Sequence, residues 1–223
     1  MPAVQLDPLD LAALLCSKVC HDVISPVGAI VNGLELLEEE RDAEMRNEAL
    51  KLVQRSAKTA SAKLQFCRLA FGAAGSAGAS IDTGDAEQVA RSLLADDRTK
   101  IEWNAARLLL PKNKVKLLLN MCMIAAAAIP RGGVIQVSIT GDGETTALRV
   151  ASTGSHVRLA SSITSLLAGA PEGGTVDAHG IQAYYTGLVA QATNMSIGIE
   201  STPEGVTIEA KPVTAEEPAA AES

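Results

Sequence analysis

The stretch KVCHDVISPVGAIVNGLELL, residues 18–37, decides how this chain is read. Apolar or small residues recur through it and ahead of it at Leu9, Ala13, Cys16, Cys20, Val23, Val27, Ile30, Leu34 and Leu37, in alternating steps of four and three. That spacing is the seam of a coiled-coil helix, since it keeps one stripe facing a partner turn after turn. The helix is expected over residues 7–38, about 46 Å long at 1.5 Å per residue. A second seam steps through Leu50, Val53, Ala57, Ala60, Leu64, Cys67 and Phe71, beyond an acidic, uncapped corner at residues 38–42. The two helices should fold back antiparallel. A lone hairpin of this length leaves much of each apolar face wet, so pairing with a second copy into a four-helix bundle is expected.

His21 sits in the middle of the first helix, one position after a seam residue, which turns its ring outward. An exposed helical histidine means little by itself; its neighbours give it weight. Asp22 places a carboxylate beside the imidazole, where it can hold the ring tautomer and make the other nitrogen more nucleophilic. Ser25 lies one turn along on the same face and can donate to an oxyanion. Pro26 falls inside an otherwise unbroken helix, deleting a backbone hydrogen bond and clashing with the Asp22 carbonyl, at a cost of about 3 kcal/mol or more. Gly28 and Gly33 each cost about 1 kcal/mol against Ala in a helix interior. Small residues there admit another helix close to the backbone, either a partner's or one of the bundle's own. Lys18, one turn before His21, can partly neutralise a phosphoryl group or simply meet solvent.

The string His21-Asp22-x-x-Ser25-Pro26, followed by an apolar repeat, resembles the H-box of two-component histidine kinases, whose helical-hairpin dimerisation domain carries the phosphorylated histidine. Residues 18–37 resemble most closely the histidine phosphotransferases of the ChpT type, which have a kinase-like layout and no kinase activity. The resemblance runs from about residue 8 to 212, strong over the first seventy residues and diffuse afterwards. It implies an α + α/β architecture: an N-terminal helical hairpin forming a dimeric four-helix bundle, then a degenerate histidine-kinase ATPase-like α/β sandwich. It also implies a relay. A hybrid kinase's receiver aspartate hands phosphate to His21, which hands it to response-regulator receivers, with Asp22 and Ser25 as catalytic partners and Lys18, Gly28, Asn32 and Gly33 on the receiver-binding face.

The domain borders expected are a hairpin over 1–72, a linker over 73–85, an α/β domain over 86–212 and a disordered tail over 213–223. The segment FGAAGSAGASIDTGD (71–85) is small, polar and without period. Beyond it are expected a strand at 101–103, a helix at 111–129, a strand pair at 134–140 and 145–152 joined by Gly141-Asp142-Gly143, helices at 158–167 and 180–193, and a hairpin at 196–201 and 206–211 turning through Pro203-Glu204-Gly205. Helices covering one face of a few strands make an α+β layer sandwich.

Aligned with kinases, the nucleotide motifs are eroded. In NMCMIAAAAIPRGG, Asn120 matches the first Asn of the N-box, while Ile124 replaces the second and Ala127 the usual Lys. In LRVASTGSHV, Ser152 stands where the adenine-reading Asp belongs and His156 in place of a glycine. In AHGIQAYY, Gly180 is the glycine that remains. Loss of the acceptor for the adenine amino group and of the glycines that let backbone N–H groups reach phosphates argues against ATP. No cofactor or metal is therefore expected on this chain, and the Mg²⁺ such transfers use belongs to the partner receiver.

Composition narrows the partners. Lys plus Arg number 19 against 26 Asp plus Glu, a formal net charge of −7, which argues against nucleic acid and anionic lipid. Five aromatic residues are too few for base-stacking platforms, and 37 alanines favour closely packed helices. Asp7 and Asp10 sit where a signal peptide needs a basic region, and the most apolar run, 117–129, is too short to span a bilayer. A cytoplasmic protein is expected, with Cys16, Cys20, Cys67 and Cys122 as buried free thiols. One rival reading is an interaction module without chemistry, a kinase-like dimer that sequesters a receiver or kinase partner; a second is an active histidine kinase, which needs the ATP binding that Ser152 and His156 argue against.

Overall fold

The computed structural model describes residues 4–72 and 79–213. Helix α1 (Pro8–Glu39) starts where Asp7 accepts the Leu9 N–H at 2.8 Å, with proline in the first turn, where its missing N–H costs nothing. It runs unbroken through Pro26. The corner is capped, contrary to the sequence expectation: the Asp42 carboxylate accepts the Glu44 and Met45 N–H groups at the start of α2 (Ala43–Ala70). Arg46 reaches back to the carbonyls of Leu37 and Glu40, closing the last turn of α1 with a cation at its negative end.

α1 and α2 pack antiparallel along a stripe different from part of the expected seams. The residues of α1 turned to α2 centre on Asp22, Pro26, Ala29 and Gly33, and those of α2 on Ala49, Val53, Ser56 and Ala60. A Cβ on Gly33 would lie 2.6 Å from Val53 Cγ2 and 3.4 Å from the Ala49 carbonyl oxygen, so the glycine sets how closely the helices approach. Of the sequence seams, Val53, Ala60 and Cys67 face inward, whereas Leu9, Val27 and Leu34 on α1 and Leu50 and Leu64 on α2 are exposed. Ile24 at 70% and Val31 at 48% exposure extend that wet apolar stripe. By length and composition α1 is apolar enough to cross a membrane. Its exposed polar residues His21, Ser25 and Asn32 nonetheless share one face, the pattern of a bundle helix.

The second domain begins earlier than expected. Strand β1 (Ser80–Asp82) and helix α3 (Thr83–Leu94) occupy most of the described part of the stretch read as linker; 73–78 and the tail from 214 lie outside the described residues. Asp82 caps α3 through the Gly84 N–H and pairs with Arg107 at 2.9 Å. There follow β2 (Thr99–Asn104), β3 (Leu109–Pro111), α4 (Lys112–Ala127), β4 (Gly133–Thr140), β5 (Ala147–Thr153), α5 (Ser162–Leu167), α6 (Ile181–Ala192), β6 (Met195–Ser201) and β7 (Gly205–Pro212). β1 pairs antiparallel with β3, and the main sheet has the order β2-β4-β5-β7-β6, with only β2 and β4 parallel. The helix expected from 158 starts at Ser162, because the Arg158 N–H donates to the Ala128 carbonyl and holds the chain extended across the end of α4.

Sheet residues alternate, Ile135, Val137, Leu148, Val150, Ile208 and Ala210 pointing inward. α4 is buried almost all round, from Val115 to Ala125, as a helix wedged between the sheet and other helices must be. Phe66, Leu69 and Ala70 of α2 belong to the same buried cluster, so the base of the hairpin and the sheet domain share one core.

Candidate functional site

His21 lies midway along α1 with its side chain 85% exposed. Its Nδ1 is 3.5 Å from Asp22 Oδ1, while the other carboxylate oxygen of Asp22 is held by Lys18. Ser25, Gly28 and Asn32 follow His21 at steps of four, three and four along the same face, Ser25 and Asn32 exposed. A Cβ on Gly28 would meet nothing within 4 Å. The structure thus brings His21, Asp22, Ser25, Gly28 and Asn32 together and separates Gly33 from them. Gly33 is buried against Val53, and its placement on a receiver-binding face is corrected: it serves the hairpin. Lys18 is likewise turned inward, its side chain 18% exposed and committed to Asp22 instead of to solvent or a partner.

One group escaped the sequence reading. Lys63 of α2 donates to the Asp22 carbonyl at 2.6 Å. The two residues are 41 positions apart, and only the signal of a proline four residues after Asp22, which leaves that carbonyl without its helical donor, hinted that something must come. Cys67, half-buried one turn further along α2, has its thiol pushed up by burial and by Asp22, with Lys18 and Lys63 pulling the other way. Two ammonium groups therefore flank Asp22, Lys18 at its carboxylate and Lys63 at its main-chain carbonyl, beside an open imidazole. Of the thiols expected to be buried, Cys16 and Cys20 are exposed on the apolar stripe, and Cys122 alone is fully enclosed, its thiol pushed up to about 12 by burial.

The residues at the nucleotide-motif positions fit ATP poorly. The Asn120 side chain is fully buried and its amide donates to the Ala70 carbonyl at 3.1 Å and the Lys116 carbonyl at 2.9 Å, tying α4 to the end of α2. Ile124 is buried, and Ser152, 1% exposed, has a hydroxyl oxygen that meets no partner among the described residues. His156 is exposed, and His179 projects into solvent 3.8 Å from Asp177. A cavity of about 410 Å³ lined by Ile124, Ala127, Arg158, His179 and Gln182 remains, walled largely by aliphatic groups. Among the described residues no group of His, Cys, Asp and Glu could hold a metal ion.

Comparison with known proteins places the chain in a family. Residues 83–205 match the model of the histidine phosphotransferase C-terminal domain. The protein phosphotransferase ChpT of Brucella abortus (strain 2308) is 49% identical over 208 residues, 93% of this chain and 98% of that one. A bacterial phosphotransferase solved at 1.7 Å superposes with a TM-score of 0.85 at 46% identity, over 94% of this chain and 99% of the other.

Proposed function

This chain belongs to the histidine phosphotransferase family, and from that premise we propose that it relays phosphate between receiver aspartates through His21, without ATP. The observation that carries the reading is the site itself: an imidazole open to solvent, its Nδ1 turned toward the Asp22 carboxylate, which Lys18 holds while Lys63 takes the main-chain carbonyl of the same residue. With Nδ1 facing Asp22, Nε2 is left free as the nucleophile. In the forward step the Nε2 lone pair attacks the phosphorus of an aspartyl phosphate, an N–P bond forms, the P–O bond breaks, and the receiver carboxylate leaves. Asp22 balances the positive charge that grows on the ring, and Ser25, one turn along, is placed to donate to a phosphoryl oxygen. Aspartyl phosphate and phosphohistidine are both reactive, so the same geometry serves the return transfer to a second receiver, and positioning accounts for most of the catalysis. The cation such transfers need is carried by the receiver.

The exposed face holding His21, Ser25, Gly28 and Asn32 is the docking surface for a receiver helix. The separate apolar stripe of Ile24, Val27, Val31, Leu34, Leu50 and Leu64 is covered by a second copy, completing a four-helix bundle in a cytoplasmic homodimer. The test is transfer of radiolabel from a phosphorylated receiver. The wild-type chain should gain an acid-labile, base-stable phosphate, the signature of a phosphoramidate. His21→Ala and His21→Gln should gain none while keeping their fold; label retained by either variant removes His21 from the reaction and brings forward the sequestering module.

A further inference from the structure

A carbonyl that proline strips of its helical donor is taken up here by a neighbouring helix. Pro26 carries no N–H, so the Asp22 carbonyl lacks the bond that residue i+4 supplies elsewhere along α1. Pro26 is itself buried, and the Asp22 carbonyl is partly shielded from solvent. Lys63 reaches across from α2 instead, its Nζ 2.6 Å from the Asp22 oxygen. A charged donor on a backbone acceptor makes a stronger bond than the amide it replaces. Lys18 meanwhile grips the Asp22 carboxylate. Asp22 is thus fixed at backbone and side chain together, and the oxygen left over, Oδ1, is the one facing His21 Nδ1 at 3.5 Å. Cys67 registers the same cluster, since Asp22, Lys18 and Lys63 all act on its thiol.

On the premise of phosphotransfer at His21, we propose that Lys63 is a positioning residue of the reaction and that Pro26 exists to create its acceptor. Proline frees the carbonyl; lysine takes it; the turn of α1 that carries His21 and Asp22 is thereby locked to α2. Neither residue touches the phosphoryl group. Each acts through Asp22, and the two work as one device.

The experiment measures phosphoryl acceptance by the full chain from a radiolabelled phospho-receiver, over a range of receiver concentrations. Lys63→Met should lower the maximal rate about 10- to 100-fold, the scale on which misplacement of a catalytic group acts, and leave the half-saturating receiver concentration unchanged. Lys63→Arg, which keeps a charged donor, should restore most of the rate. Pro26→Ala returns a helical N–H to the Asp22 carbonyl and should reproduce the loss. Adding Lys63→Met to it should then cost less than about twofold more, because residues sharing one interaction are not additive. A normal maximal rate in Lys63→Met, a change confined to half-saturation, or multiplied losses in the double variant each overturn the assignment. Should Lys63→Met fail to fold by circular dichroism, Pro26→Ala alone decides, and a wild-type rate there refutes the proposal. His21→Ala separates the two levels of the argument. If it still accepts label the phosphotransfer site is wrong, whereas an inert His21→Ala beside a fully active Lys63→Met sinks only the role of Lys63.

Discussion

At the scale of single residues, two glycines five positions apart on one helix do opposite things. A side chain at Gly28 enters open space, one at Gly33 runs into Val53. Gly33→Ala should therefore lower stability by about 1–3 kcal/mol, the usual cost of overpacking a close contact. Gly28→Ala should raise it by up to about 1 kcal/mol through helix propensity. Gly28→Leu should melt no lower than the wild type and yet accept phosphate poorly, since it obstructs the face on which a receiver helix would dock. Thermal melts paired with label transfer check all three, and a Gly28→Leu chain with normal transfer moves the docking face elsewhere. Asp82 gives a residue-scale test of electrostatics. Its carboxyl is held below the ordinary aspartate range first by the Gly84 N–H it accepts and next by Arg107. A depressed native value means that its stabilising contribution is complete above the unfolded value and is lost as pH falls through the native one. The Gly84 amide resonance should accordingly titrate with a midpoint below 3.8, and Arg107→Ala should raise that midpoint toward it. An unchanged midpoint in Arg107→Ala removes the ion pair from the account.

At the scale of elements, α1 has three faces with three uses. One packs on α2 around Pro26 and Gly33, one presents His21, Ser25 and Asn32, and one leaves Ile24, Val27, Val31 and Leu34 in water. An exposed apolar stripe of this length marks an interaction surface. Val31→Glu should turn the proposed dimer into a monomer, since burying an unpaired carboxylate costs several kcal/mol. Light scattering on the full chain reads the mass directly; a variant that stays dimeric places the contact on another face. The spacing of α1 and α2 in the sequence identified both helices and the outward setting of His21. It did not separate the half of each seam used inside the hairpin from the half left over, because a heptad pattern names a stripe without naming its partner. The three-residue strands β1 and β3 were unreadable for a different reason, being too short to display alternation.

At the scale of the whole molecule, the sheet domain is fastened to the hairpin at several points. The buried Tyr184 hydroxyl donates to the Val4 carbonyl at 2.8 Å and accepts the Leu6 N–H at 3.2 Å; Phe71 and Tyr185 meet edge to face; Asn120 joins α4 to Ala70. Tyr184→Phe should cost about 1–2 kcal/mol, the loss of its hydroxyl bonds, and hydrogen exchange should show it as faster opening of the backbone at Leu6. Protection unchanged at that amide means the hydroxyl does not hold the arm. The residues standing at the aligned motif positions, Ile124, Ser152 and His156, are the reason to expect no ATP affinity. Calorimetric titration with Mg-ATP should give no heat of binding, and a micromolar isotherm would return the chain to the kinases.

Local features were legible along the chain: the two long helices, the histidine turned outward beside a carboxylate, and the strand pairs. Each rests on residues within a turn or two of one another, where periodicity and propensity act. What depends on register came from packing alone. Sliding α2 along α1 by one turn preserves every seam and yet moves Lys63 away from the Asp22 carbonyl and Val53 away from Gly33. The docking of α4 against the end of α2 brings the Asn120 amide to the Ala70 carbonyl. A helical repeat fixes which side of a helix is buried, and close packing fixes which residue lies opposite, because only one register fills the space without voids or clashes.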